Sequence, residues 1–470
     1  MSFRDQRQEN RSLTRRAVLG LLAAGAGGLV AACSAGAPPT QPTPKPTAAV
    51  GGQQAPAASK QLGGELRLHV RTGSEEDTLK DVLPKFTQDT GVTVKLESFP
   101  TAEYFTKLQT LIAGGTAGDV WWCAYRNTPR FANSKVIMQL DDLVKADSFD
   151  LTPYYSAALQ ASSYKGGLYA LPFKIHPGPV VLYYNVQHIQ EAGITMPDKQ
   201  IAAWDDVIKM AGQLRKESNG RVDRFGLYLP LSSDSSTNTL QAVTMFARSW
   251  GGEVYSEDGK KAQFADPPTR DAIRFMSDLI NTYKVAAPGQ EFTQQFEDLM
   301  IAQRVSLLQA SSSTKSIPTK TGGKFDVRNI LVPPGPAGKV GTQAITDDIV
   351  INARTQNPDA AWALTKLLCG QDAGVRLGGG TGGVASGTCG ARKDVFNDAR
   401  ITANPLHQVF IEPVQNAVPL RLPANLREEE VAAALHQMLT PIWLGEREPD
   451  DAFFAELNPA IQGVLDRPIA

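Results

Sequence analysis

Two adjacent acids, Asp347 and Asp348, carry the most obvious chemical potential in this chain. Side by side, such carboxylates can accept hydrogen bonds from hydroxyl groups, pair with a guanidinium such as Arg126, or divide the acid and base roles of glycoside hydrolysis. Trp122, Tyr125 and Arg126 form a second set, combining rings with a planar donor. Arg71 and Thr72 form a third, Asp234 lies in the polar run 232–238, and Trp250 precedes Gly251-Gly252, where a backbone can approach a ligand closely. The motifs of established catalytic machineries are missing: there is no Gly-x-Ser-x-Gly, His-Glu-x-x-His or Gly-x-x-x-x-Gly-Lys-Ser/Thr. Gly378, Gly380 and Gly383 spell Gly-x-Gly-x-x-Gly, but they follow a helical stretch instead of a strand, so the dinucleotide reading fails. The five histidines (69, 176, 188, 407 and 436) are scattered, and no cysteine spacing suits a metal. Neither a metal nor another cofactor is expected.

Rapidly alternating elements must position these groups. Leu66, Leu68 and Val70 alternate as a strand, and Leu79, Val82, Leu83 and Phe86 recur at helical spacing. Val92, Val94 and Leu96 make a second strand, Tyr104, Leu108, Leu111 and Ile112 a second helix, and 119–123 a buried third strand. This is the βαβ order of a mainly parallel sheet, whose ligands sit at the carboxyl ends of the strands. Arg71 and Thr72 follow the first strand at that end, and Tyr125 and Arg126 follow the third. Trp121 and Trp122 alternate in direction, so at most one faces a cleft. Further strands are expected at 180–185, 305–309 and 348–352. Helices are expected through Trp204 and Leu214, through Ile273 and Tyr283, and over 426–444 and 451–465. The adjacent Tyr183 and Tyr184 suggest iron ligation, but they lie within the buried strand 180–185.

With 470 residues the chain has material for two or three lobes. Its 47 basic and 48 acidic residues nearly cancel, which leaves no electrostatic footprint for nucleic acid. The N-terminus has the order of an export signal: an Arg-containing stretch to Arg16, an apolar run over 17–32, then Cys33. That run holds four glycines and is shorter than the about 20 residues a membrane span needs. Thr14-Arg15-Arg16 resembles a twin-arginine signal and Val30-Ala31-Ala32-Cys33 a lipobox, which implies diacylglycerol on Cys33 after removal of residues 1–32. Residues 33–62, rich in Pro, Ala and Thr, read as a disordered tether. Of the remaining cysteines, Cys369 and Cys389 can pair, or all three with Cys123 can stay free.

Residues 63–470 resemble the extracellular solute-binding proteins of ABC importers, family 1, the sugar-binding group that includes maltose-binding protein. The resemblance rests on the opening strand–helix–strand over 65–99 and on Ala113-Gly114-Gly115-Thr116-Ala117-Gly118-Asp119-Val120. It continues through Tyr164-Lys165-Gly166-Gly167-Leu168-Tyr169-Ala170-Leu171-Pro172, Leu182-Tyr183-Tyr184-Asn185, Trp250-Gly251-Gly252, Asn357-Pro358-Asp359-Ala360-Ala361-Trp362 and Thr381-Gly382-Gly383. It implies an α/β, two-lobed, type II periplasmic-binding-protein-like fold with lobes joined by crossing hinge segments. Lobe one would be 63–174 and 346–395, lobe two 178–342 and 397–470. It implies a monomeric, non-enzymatic, membrane-anchored capture protein for a mono- or short oligosaccharide, serving the transmembrane subunits of an ABC permease. Solute contacts are then implied for Lys174 and His176 at the first crossing, Ser312 in lobe two, Asp347 and Asp348 at the second crossing and Arg421 at the third. Aromatics that relatives often carry after the first strand and near 311–314 are replaced here by small or charged residues. That departure, with Arg71 and Arg126, leaves open a charged solute such as a polyamine, phosphorylated polyol or metal complex. Asp347 and Asp348 keep a secreted glycoside hydrolase as a further alternative.

Overall fold

The structure is a computed structural model that describes residues 62–470 apart from positions 102, 234, 294, 296, 313–315 and 380–389. The leader, Cys33 and the tether to residue 61, together with Asp234, Cys389, Gly380 and residues 381–383, lie outside the described residues.

Strand β1 (Glu65–Arg71) buries Leu66, Leu68 and Val70. Helix α1 (Ser74–Thr90) follows, with Glu75, Glu76 and Asp77 in its first turn, where the helix dipole favours acids. It ends at Gly91, whose φ of 74° needs no Cβ penalty and whose N–H caps the Thr87 carbonyl. Strand β2 (Thr93–Phe99), helix α2 (Tyr104–Ala113), the fully buried strand β3 (Val120–Ala124) and helix α3 (Thr128–Asn133) come next. The Tyr104 hydroxyl lies 2.8 Å from the Trp122 carbonyl and 3.1 Å from that of His69, tying the ends of β1 and β3 together. Strand β4 (Leu171–His176) leads out of this layer into β5 (Val181–Asn185).

The second layer adds helix α4 (Trp204–Leu214), the hairpin β6 (Lys216–Ser218) and β7 (Arg221–Tyr228), and helix α5 (Ser236–Ser249), N-capped by Ser235. Helix α6 (Pro267–Ser277) runs on into one π-helical turn, Asp278–Thr282. Strands β8 (Val305–Ala310) and β9 (Val327–Leu331) complete it before β10 (Ile345–Ile351) returns to the first layer. Helix α7 (Pro358–Leu368) packs on that first layer, and helices α8 (Pro405–Gln415), α9 (Glu428–Trp443) and α10 (Asp451–Leu465) contribute to the core of the second.

The first sheet has the order β2-β1-β3-β10-β4 and the second β9-β5-β8-β7-β6. Both are mixed, which corrects the expectation of mainly parallel sheets. Strand β10 runs antiparallel to β3 and to β4, and β5 runs antiparallel to β8 and β9. The reason is connectivity: β4 carries the chain out of lobe one and β10 brings it back, so the two must run in opposite senses. The crossing segments lie side by side. Gln343 N–H donates to the Pro177 carbonyl at 2.9 Å, and Ala344 N–H to that of Val418 at 2.8 Å. Buried Arg248 reaches across from α5 and donates to the carbonyls of Thr342, Val418 and Pro419 at 2.7–3.1 Å while Glu253 balances its charge. Each lobe has its own large apolar core, and a smaller cluster around Ile175, Ala344, Phe396 and Val414 joins them at the crossings.

Among the described residues no helix is long and apolar enough to cross a membrane. Cys123 and Cys369 are buried free thiols, the latter donating to the Leu171 carbonyl at 3.4 Å.

Candidate functional site

A cavity of about 310 Å³ opens where the carboxyl ends of β1, β3 and β4 meet the start of β10 on one side and α5 and β8 on the other. Lobe one supplies Arg71, Phe105, Trp122, Tyr125, Arg126, Lys174, His176 and Asp347, and lobe two supplies Pro230, Asn238, Gln241 and Ser311.

Its floor is a closed set of charges. The Lys174 ammonium donates to Glu75, from the first turn of α1, and to Asp347 at 2.7 Å. The Arg71 guanidinium also holds Glu75, with Nε to Oε2 at 3.1 Å, and sits 3.4 Å from Asp347. Two cations thus face two anions. Burial alone would push both carboxyls up, but Lys174 and then Arg71 outweigh it, holding Glu75 below its ordinary value and Asp347 at about 2. Burial, assisted by the nearby cations, pushes His176 down to about 4, so its imidazole is neutral at pH 7 and its buried Nδ1 has no partner among the described residues. The Trp122 Nε1–H is likewise buried and unpartnered.

Strand alternation sorts the paired residues. Trp122 turns to the cavity, whereas Trp121 turns away and packs edge-on to Phe131 at 6.3 Å. Asp347 faces the cavity, but Asp348 points into the opposite layer, where it accepts from Thr128 Oγ1 at 2.7 Å and Ser162 Oγ at 2.8 Å. Burial raises its carboxyl to about 7. The two acids therefore do not share a site, which removes the geometry a two-carboxylate hydrolase needs.

On the rim, Arg126 Nε donates to Glu429 Oε1 at 3.1 Å, and Asn127 Nδ2 reaches the same oxygen at 3.4 Å, so the turn after β3 clasps the first turn of α9. Tyr125 is buried and hydrogen-bonds Gln241 of α5. Both lobes are thus bonded to each other around the cavity.

Besides Asp348, four of the expected residues lie elsewhere. Thr72 is exposed and spends its N–H on the Phe99 carbonyl at 3.0 Å, extending the β1–β2 edge. Trp250 packs on Phe275 at 4.9 Å within the helix layer of lobe two. Ser312 is buried beside the wall residue Ser311 but does not line the cavity. Arg421 donates to the Tyr255 carbonyl at 2.9 Å and faces a separate depression by the crossings. Asn238 closes the polar run 232–238 expected on the lobe-two side, whereas Glu75, Phe105 and Gln241 are not singled out by the sequence. For Glu75 a signal exists, because Arg71 and Glu75 are four apart across a strand–helix junction. For Gln241 there is none, since one glutamine in a helix looks like any other.

A family model described as bacterial extracellular solute-binding protein matches residues 72–375. The chain is 27% identical over 323 residues to the erythritol/L-threitol-binding protein of Mycolicibacterium smegmatis, covering 63% of this chain and 65% of that protein. Its fold is similar to a solute-binding protein of Thermotoga lettingae bound to α-D-tagatose, with TM-score 0.72, 20% identity, and coverage of 86% and 100% of the two chains. It is also similar to maltose-bound MalE3 of T. maritima, with TM-score 0.70, 20% identity, and coverage of 86% and 99%.

Proposed function

The chain belongs to the bacterial extracellular solute-binding proteins, and we propose that it captures a small, uncharged, polyhydroxylated solute in its interlobe cavity for an ABC importer. The observation that carries this reading is the charge-balanced floor. Glu75 and Asp347 cancel Lys174 and Arg71, while Arg126 is matched by Glu429. A charged solute would have to break one of the floor pairs and leave a largely buried ion uncompensated, which costs several kcal/mol. A neutral solute meets donors and acceptors without upsetting the balance. The names of the relative and the two structural neighbours support this, since erythritol, tagatose and maltose are all neutral polyols or sugars. Solute that bonds both lobes at once favours the closed form through differential affinity, and the closed form is the one a permease would engage. Lobe boundaries near 174–178, 342–346 and 395–397 belong to the same proposal. So do a monomeric state and a role confined to binding.

A thermal-shift screen tests the reading. Saturating neutral sugars and polyols are expected to raise Tm, because a ligand at 100 times its Kd stabilises by about 2.7 kcal/mol. A shift confined to polyamines, phosphorylated polyols or iron would overturn it.

Anchoring through Cys33 is the second part of the proposal. It is supported by the order of charge, apolar run and small residues before that cysteine. Intact mass of the membrane-extracted protein is expected to match a chain that starts at an acylated Cys33. A mature N-terminus at any other residue would refute it.

A further inference from the structure

Resting on the reading that the cavity takes a neutral polyhydroxylated solute, we infer that this solute is an open-chain polyol, and that Arg71 enforces the choice by covering the indole of Trp122.

A pyranose has C–H patches on its ring faces, and binding it in water rewards an uncovered aromatic face laid against one of them. Besides the His176 imidazole, three aromatic rings line this cavity. The Arg71 guanidinium carbon sits 3.7 Å from the Trp122 ring centroid, so the cation occupies the indole face. Tyr104 meets the same ring edge-on at 5.1 Å and Phe105 abuts it at 5.3 Å, leaving Trp122 only 3% exposed. Tyr125 is also 3% exposed and uses its hydroxyl on Gln241. Phe105 carries the Arg126 guanidinium 5.4 Å from its centroid. Each of these three rings thus already has a guanidinium or a hydrogen-bond partner against it.

The lining is polar on both sides. Arg126, Lys174, His176 and Asp347 line it from lobe one, and Trp122 Nε1–H and His176 Nδ1 are without partners among the described residues, one a donor and the other a ring nitrogen able to take either role by tautomer. Opposite them, the amides of Asn238 and Gln241 line the lobe-two wall. An alditol carries a hydroxyl on every carbon and has no flat apolar face, so it matches this distribution where a pyranose does not. The open chain gives up rotor freedom on binding, which demands that its hydroxyls be answered individually. The volume of about 310 Å³ lies at the small end of the roughly 300–1,000 Å³ range of ligand pockets, which also suits a single short chain.

Arg71 is held over the indole by Glu75 and Asp347, so its position does not depend on solute. It therefore acts as a specificity-determining residue for the site.

Isothermal titration of the full chain in detergent with erythritol, xylitol, methyl α-D-glucopyranoside and maltose tests the inference. At least one alditol is expected to bind ten times or more tighter than either pyranoside. The double variant Arg71→Leu/Glu75→Gln uncovers the indole while keeping the floor neutral. It is expected to lose tenfold or more in alditol affinity and to gain methyl glucopyranoside binding that changes Trp fluorescence. Arg71→Lys keeps the charge and removes the planar cover, and should move in the same direction should the double variant not fold. Pyranosides bound as tightly as alditols by the unmodified chain would overturn the inference while leaving the proposed function standing. An unchanged alditol preference in the variants would overturn the role of Arg71. Binding of none of the four would overturn both the inference and the reading beneath it.

Discussion

Replacing Lys174 with Met is expected to destabilise the protein by about 3–5 kcal/mol at pH 7, the scale seen when one partner of a buried ion pair is removed. The ammonium bonds both Glu75 and Asp347 and is closer to Asp347, at 2.7 Å, than Arg71 is at 3.4 Å, and all three side chains are largely shielded from water. Without it, Arg71 alone faces two carboxylates in a site that burial makes hostile to uncompensated charge. The sign of the pH dependence gives the sharper test. In the native protein Asp347 titrates at about 2, below the ordinary carboxylate range. Its contribution is therefore present above about pH 4 and lost as pH falls towards 2. In Lys174→Met the larger cause of that depression is gone and Arg71 is left to oppose burial, so both carboxyls should titrate higher and the variant should regain stability as pH falls. Urea unfolding at pH 7 and pH 4 reads both effects. A loss below about 1 kcal/mol with the native slope retained would mean that the floor is solvated and the pairs weak.

Asp348→Asn is expected to stabilise the protein at pH 8 by about 3–5 kcal/mol and to leave it unchanged at pH 4. Burial raises Asp348 to about 7, whereas an unfolded chain titrates near the ordinary aspartate value. Between those values the folded protein holds a proton that the unfolded chain has released, so stability falls as pH rises from about 4 to 7 and levels off above. An amide reproduces the protonated carboxyl: its oxygen accepts from one of Thr128 and Ser162, and its NH₂ donates to the other hydroxyl oxygen. It never ionises, so the penalty disappears. Thermal melts of both proteins from pH 4 to 8 should converge at the acid end and separate at the alkaline end. Parallel curves, or a variant less stable throughout, would sink this account. Glu428, also raised to about 7 by burial and receiving the Tyr255 hydroxyl, adds a similar slope to both proteins and cancels in the comparison.

Much of the architecture was legible because it rests on local periodicity. The strand at 65–71, the helix carrying Leu79 to Phe86 and the helices near 426–444 and 451–465 lie within a few residues of their expected limits. The hairpin β6–β7 and strand β9 were not anticipated. Their polar edge residues, such as Lys216, Arg221 and Arg328, blur the alternation that marks a half-buried strand. Strand direction was misjudged for the same kind of reason: a local pattern says that a segment is extended, but not which neighbour it joins. Of the site, Arg71, Trp122, Tyr125, Arg126, Lys174, His176 and Asp347 meet at one cavity, while Thr72, Trp250, Ser312, Asp348 and Arg421 lie elsewhere. Residues placed by their position at a strand end mostly reached the cavity. Those placed by type alone mostly did not.

By itself, then, the chain's order of residues determined which segments become strands and helices and which polar groups fall at strand ends, because period 2 and period 3.6 are properties of the local backbone. Only the tertiary structure decided the chemistry of the site. Side-chain alternation along β10 sent Asp347 to the cavity and Asp348 to the core. Residues as distant in sequence as Glu75, Lys174 and Asp347 became one neutral network only when three elements converged. Charge balance depends on distances of a few ångströms between groups far apart in the chain, and no local pattern encodes those distances.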